Sequence, residues 1–287
     1  MDFTDTKELK ALLHHNIDTP TRVWLDEKLH AIIESASTKD LYLTYSLLAH
    51  KIDADTPLDI PAIENEELHT YLSRQNATTL QMARLYLLSK VLEEKGSHFQ
   101  PKVANLIQIA DSGELASFLK FLILLPNPED YKHVAVEALR TNIATVFNAI
   151  SADNPYPAQY FNDQQWNQMY LKAAFMQQDL SRILDVDTRA NADLARIISD
   201  YAHERWAASR EVDPLFWRPV GGFLTDDILK DMERLLQSDH PAENRAGALC
   251  CFRSNEPAAS DLLEKYPELR EGVANGKITW SNLKEER

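Results

Sequence analysis

Residues 189–210 read RANADLARIISDYAHERWAASR, and this stretch decides the fold class. At about 100° per residue, Leu194, Ile197, Ile198, Tyr201 and Ala208 gather on one side, while Asp193, Arg196, Asp200, His203 and Glu204 gather on the other. That is the period of an amphipathic helix. One residue breaks the pattern: Arg205 projects near the middle of the apolar arc.

Outward from this stretch, the same period and its punctuation recur. Asp18-Thr19-Pro20 offers an N-cap and a first-turn proline before an apolar-periodic run to Ile33. Asn127-Pro128 repeats the device before Tyr131 to Ile150, and Asp111 with Glu114 resembles a capping box ahead of Leu115 to Leu125. Further helices are expected at Lys7–His15, Lys39–Lys51, Ala77–Lys95, Pro101–Ala110, Asp163–Gln177, Thr225–Gln237, Ala242–Arg253 and Pro257–Lys265. No stretch alternates with a two-residue period between turn pairs, so no strand is expected. Many helices with short connections predict an all-α fold of stacked α-hairpins, like an α/α superhelix, in one continuous domain over residues 1–287. No fixed repeat period supports a named repeat family. The helical pattern weakens near 52–76, where a loop with one short helix is expected, and near 153–162; a boundary could fall at either.

Composition agrees. The chain holds only seven glycines in 287 residues, whereas parallel α/β folds spend glycines on tight turns and phosphate loops. Neither nucleotide-binding glycine motif is present. The formal charge of −14 makes nucleic acid and anionic membrane surfaces poor partners. Cys250 and Cys251 are adjacent, a geometry that strains a disulfide, so a reducing compartment and a cytoplasmic location are expected. The start, MDFTDTKELKALL, lacks the pattern of a signal peptide. The most apolar segment, Leu115 to Leu125, is interrupted by Lys120 and too short to span a bilayer.

Polar side chains inside apolar arcs are the functional lead, because burial forces them to find partners. Asn142 lies within the arc of Ala135, Leu139, Ile143 and Val146. Asn167 sits between Tyr170, Leu171 and Ala174, and Lys172 between Met169 and Phe175. Together with Arg205 these residues admit two readings. One is architectural: an arginine could fix a loop such as Asn154-Pro155-Tyr156-Pro157 by donating to its carbonyls. The other is a pocket in which Lys172 and Arg205 hold an anionic group while Asn142 and Asn167 orient the rest. Tyr156, Trp166, Trp206 and Trp217 would then be pocket wall or plain core.

Reaction signatures fare worse. His203-Glu204 opens like a zinc-protease helix, but the second histidine is replaced by Ala207. Asp226-Asp227 lacks a third aspartate at position 230, where Lys230 stands, and reads as helix N-terminal charge. Glu66-x-x-His69, Asp130-x-x-His133 and Asp200-x-x-His203 have the spacing of di-iron helices. Only the first carries glutamate, and chance pairs are expected among nine histidines and 44 acids. No serine or cysteine sits in a nucleophile motif. No cofactor and no metal site is expected, and an Asp200–His203 acid–base pair is the residual catalytic idea.

Certain words are distinctive in combination: Leu41-Tyr42-Leu43 through Lys51, Arg140-Thr141-Asn142, Asn154-Pro155-Tyr156-Pro157 with Tyr160-Phe161, Trp166-Asn167 and Leu171-Lys172. They continue with Arg189-Ala190-Asn191, His203-Glu204-Arg205-Trp206 with Arg210, Trp217-Arg218 and a late Thr279-Trp280-Ser281. In these the chain resembles the EboA family of bacterial proteins through most of its length. The resemblance implies a component of a multi-protein pathway that makes or exports a secondary metabolite, beside enzymes similar to a prenyltransferase, a sugar-phosphate cyclase, a sugar isomerase and metal-dependent hydrolases. It carries over no catalytic residue. The expectation is a non-catalytic accessory protein that binds a small anionic or polar intermediate or other pathway proteins, without nucleic acid or membrane insertion. An enzyme with a novel helical site for a cyclitol-like, prenylated or phosphorylated intermediate, or a helical di-metal oxidase, are the alternatives. Candidate ligand-binding residues are Arg140, Asn142, Tyr156, Asn167, Lys172, Arg189, Asn191, His203, Glu204, Arg205, Trp206 and Arg210.

Overall fold

The computed structural model describes residues 6–61 and 65–283. Among these residues the chain is all-α; the one β feature is an isolated bridge between Pro57 and Thr78. None of the described helices is long and apolar enough to cross a membrane. The chain divides into two compact units, Met1–Tyr156 and Pro157–Arg287. The division falls inside the 153–162 segment.

The first unit holds α1 (Thr6–Asn16), α2 (Thr19–Ser35), α3 (Thr38–Leu47), α4 (Glu66–Arg74), α5 (Thr79–Ala104), α6 (Leu106–Ile109), α7 (Ser112–Lys120), α8 (Lys132–Ala138) and α9 (Ala144–Ser151). Helix α5 is its axis: α1, α2, α3 and α7 all pack on it. Its run from Leu85 to Leu88 is buried without a break, as expected of a helix surrounded by others rather than lying on a surface. The two expected helices Ala77–Lys95 and Pro101–Ala110 are joined here. Helix α5 continues to Ala104 through a kink at Lys95 (φ −140°, ψ 52°), and Pro101 lies inside it. The caps at Asp18 and at Asp111 with Glu114 form as the sequence indicates: Asp18 accepts from the Thr21 N–H at 2.9 Å, and the Asp111–Glu114 box closes at 2.8 and 3.2 Å.

The expected helix Tyr131–Ile150 is corrected. It breaks between α8 and α9, where Thr141 Oγ1 accepts the Ile143 N–H at 3.0 Å and so replaces a helical bond with a side-chain turn. Asn142 lies in that break and is exposed, not within an apolar arc.

Helix α10 (Tyr156–Tyr160) begins on the last residue of the first unit. The second unit continues with α11 (Asp163–Phe175), α12 (Ala192–Ala207), α13 (Asp226–Leu236), α14 (Pro241–Arg253), α15 (Pro257–Glu264) and α16 (Pro267–Ala274). Helix α13 is strongly amphipathic and packs on α12, α14 and α15. The chain after α12 passes close to α14. The Cys250 thiol donates to the Trp217 carbonyl at 3.2 Å, and a Cβ added at Gly221 would stand 2.9 Å from the Cys250 carbonyl oxygen. Both cysteines are free and buried; burial pushes the Cys251 thiol up to about 12. Asp187 ties the same region together by accepting from Arg218 at 2.6 Å and from Arg253.

Candidate functional site

The buried face of α12 consists of Leu194, Ala195, Ile198, Ser199 and Ala202. This corrects the wheel drawn from the sequence: Leu194 and Ile198 of the expected arc are buried, but Ile197 and Tyr201 are half-buried and Ala208 is exposed. Of the buried residues, Ser199 meets Asp231 of α13. Arg205 is left at the margin, half-buried.

On α13 the buried positions are Ile228, Asp231, Met232, Leu235 and Leu236. Asp231 is therefore a carboxylate in an apolar stripe, 3% exposed, where an unpartnered charge would be strongly unfavourable. Both its oxygens are satisfied from α12. Ser199 Oγ donates to Oδ2 at 2.6 Å, and His203 Nε2 lies 2.6 Å from Oδ1. The His203 side chain is 56% exposed, so the pair runs from the core to the surface.

Above it lies a cavity of about 790 Å³ between α12 and α13, lined by His203, Ser199, Asp231, Arg196, Lys230 and Thr225 among others. Asp200, the expected acid–base partner of His203, bonds Arg196 instead at 2.9 Å; the partner of His203 is Asp231. Serine, histidine and aspartate meet here in an order unlike that of a hydrolase. The aspartate stands between the other two, so the serine hydroxyl meets the carboxylate and not the histidine. Asp231 and Ser199 were missed from the sequence. The signal existed: Asp231 interrupts the spacing Ile228, Met232, Leu235, Leu236, and the test that flagged Arg205 would have found it on this helix.

The sequence candidates divide into separate groups. In the first unit, Arg140 is exposed and pairs with Glu137 at 2.9 Å. Tyr156 is fully buried, and its hydroxyl donates to the Pro128 carbonyl at 2.7 Å.

In the second unit, Arg189 is a filled guanidinium. It donates to the carbonyls of Pro157, Ala158 and Phe161 at 3.2, 2.7 and 2.9 Å, to Asp163 at 3.2 Å, and lies over the Trp166 ring. Asn167 and Asn191 exchange amide hydrogen bonds at 3.1 and 2.9 Å, while Asn191 also caps α12 by accepting from the Leu194 N–H. Lys172 is half-buried, and burial lowers its pKa. Arg205 donates twice to the Glu211 carbonyl, at 3.1 and 2.8 Å. It lines a pocket of about 340 Å³ that is bordered by neither Asn167 nor Lys172.

Trp206 stacks on Trp217 at 5.7 Å and carries the Arg234 guanidinium over its face at 4.2 Å. With the exposed Arg210 it lines a shallower cavity of about 730 Å³ that shares Lys230 with the His203 cavity. Glu204 is exposed. The block thus supplies capping and loop anchorage at Arg189, Asn191 and Asn167, and a cavity wall at His203 and Trp206. Among the described residues no three His, Cys, Asp or Glu side chains are grouped to hold a metal ion.

The fold and this cavity define an all-α protein with a pocket, lined by charged and apolar residues together, between two helices of its second unit. The chain belongs to the EboA family: the family model, described as metabolite traffic protein EboA, matches residues 5–221. The late word Thr279-Trp280-Ser281 lies outside that match, as do Asp231 and all of α13, so one wall of the cavity comes from the matched region and the other from beyond it. No curated protein and no solved structure matches the chain.

Proposed function

We propose that this chain is a non-catalytic accessory protein of a bacterial secondary-metabolite pathway, and that it holds a small polar metabolite in the α12–α13 cavity. The observation that carries the reading is the buried Asp231 carboxylate, committed to Ser199 and His203 at the floor of a cavity of about 790 Å³. A charge inside an apolar stripe is destabilising compared with an apolar residue of the same shape. A ligand-facing histidine held at a fixed angle is a function that offsets this cost. The volume lies in the range of small-molecule sites. The description of the family as metabolite traffic supports binding over chemistry, as does the central position of the aspartate, which keeps His203 away from the Ser199 hydroxyl.

The test is native mass spectrometry of the full chain isolated from cells that make the pathway's metabolites. It is compared with Ala192→Trp, a change at an exposed position on the cavity rim. A small bound mass in the wild type that disappears in the variant is the expected result. The same mass retained by the variant would put the site elsewhere, and no bound mass in either would count against a holding role.

A further inference from the structure

The α12–α13 cavity has a chemical polarity that narrows what it takes, given that it is the metabolite site. A carboxylate oxygen only accepts hydrogen bonds, so the 2.6 Å contact between Asp231 Oδ1 and His203 Nε2 fixes the ring proton on Nε2. Ser199, donating to Oδ2, holds the carboxylate in that orientation. In the neutral ring Nδ1 keeps its lone pair, and it has no protein hydrogen bond among the described residues, on a ring that lines the cavity. The neutral His203 ring meets a ligand as an acceptor.

The charges of the cavity point the same way. Its lining carries Asp193, Asp200, Asp227 and Asp231 against Arg196 and Lys230. Both cations are already engaged, Arg196 with Asp200 at 2.9 Å and Lys230 with Asp227 at 2.7 Å. Such in-helix pairs are weak and could open toward an anion. What opposes the anion is the surplus carboxylate charge, with Asp193 at the rim and Asp231 beneath the histidine. The expectation of an anion held by Lys172 and Arg205 does not transfer to this cavity, since neither residue lines it.

We propose that the ligand is a neutral or cationic compound rich in O–H and N–H donors, such as a polyol or amino alcohol, with one donor received by Nδ1 of His203. Phosphorylated and carboxylated forms are discriminated against. Asp231 and Ser199 are positioning residues, acting through the ring.

Three probes of similar size separate the charge classes: glucosamine, glucose and glucose 6-phosphate. Each is titrated into the full chain, with the His203 ring nitrogens followed by NMR and assigned through His203→Leu. The free protein is expected to show the Nε2–H form. Glucosamine should bind most tightly and shift Nδ1, glucose more weakly, and glucose 6-phosphate at least about tenfold more weakly than glucosamine. The His203→Leu variant, altered at a half-exposed side chain, should lose most of the glucosamine affinity. A ring protonated on Nδ1, glucose 6-phosphate as the tightest ligand, or no shift with any probe would each overturn the ligand class. The holding role is judged separately by the co-purified mass, so either idea can fail while the other stands.

Discussion

Arg189→Met tests whether the polar block of the second unit is architecture at its α10–α11 end. The guanidinium is 16% exposed by side chain and donates to three carbonyls and to Asp163. Methionine approximates the length of the stem but donates nothing. The Pro157 carbonyl keeps a second partner, the Phe161 N–H at 3.0 Å, so its loss is small. The carbonyls of Ala158 and Phe161 lose the guanidinium, and each such loss in a part-buried site costs about 1–3 kcal/mol. The stack on Trp166, with ring and guanidinium 5.0 Å apart, adds about 1 kcal/mol. The Asp163 contact adds little, because that carboxylate is 74% exposed. The expected destabilisation is about 3–7 kcal/mol, read by urea unfolding followed through tryptophan fluorescence and circular dichroism. Arg189→Lys should recover less than half of it, since a point ammonium cannot span the fork of carbonyls. A loss below about 1 kcal/mol for Arg189→Met would refute the reasoning, because no buried anchor of this kind is so cheap to remove.

Two further outcomes follow from the same unit. Asn191→Ala removes the α12 cap and orphans the buried Asn167 amide, so a loss of about 2–4 kcal/mol is expected in urea unfolding; Asn191→Asp should restore the cap portion of that loss. Asp187 titrates below its ordinary value: burial raises it, but the hydrogen bonds and charges of Arg218 and Arg253 outweigh burial. With the folded value below the unfolded one, its contribution is fully present above the unfolded value near pH 4 and is lost as pH falls through the folded value. Thermal unfolding measured from pH 6 to pH 2 should therefore show a shallower acid loss in Asp187→Asn than in the wild type, and parallel curves would count against the arrangement.

Much of the fold was legible because helices write their own boundaries. Asp18 and Asp111 with Glu114 mark starts that the structure keeps, Asn127-Pro128 opens only a 3-10 turn without a side-chain cap, and the cap at Asn191 with its helix lies inside the expected Arg189–Arg210 run. The failures have local causes. Tyr131–Ile150 was read as continuous because its apolar spacing persists across Thr141, whose hydroxyl closes a turn in competition with the helix. Helix α16 was not anticipated, although Pro267 marks its start. The candidate site was only half legible. His203 and Trp206 line cavities, whereas the candidates Arg189, Asn167 and Asn191 serve neighbouring backbone and one another.

The sequence by itself determined that the chain is all-α, which family it belongs to, and which polar residues must find partners, since these depend on local periodicity, capping and composition. Which partner each residue found was decided only by the tertiary structure. The buried stripe of α12 takes in Ser199, which meets Asp231 of α13, and leaves Arg205 half-buried at its edge. Asp231, 28 residues from His203, became the group beneath the histidine because α13 packs on α12. A helical wheel gives the phase of one helix but holds no information about the neighbour, and the pairing of a buried charge is a property of both.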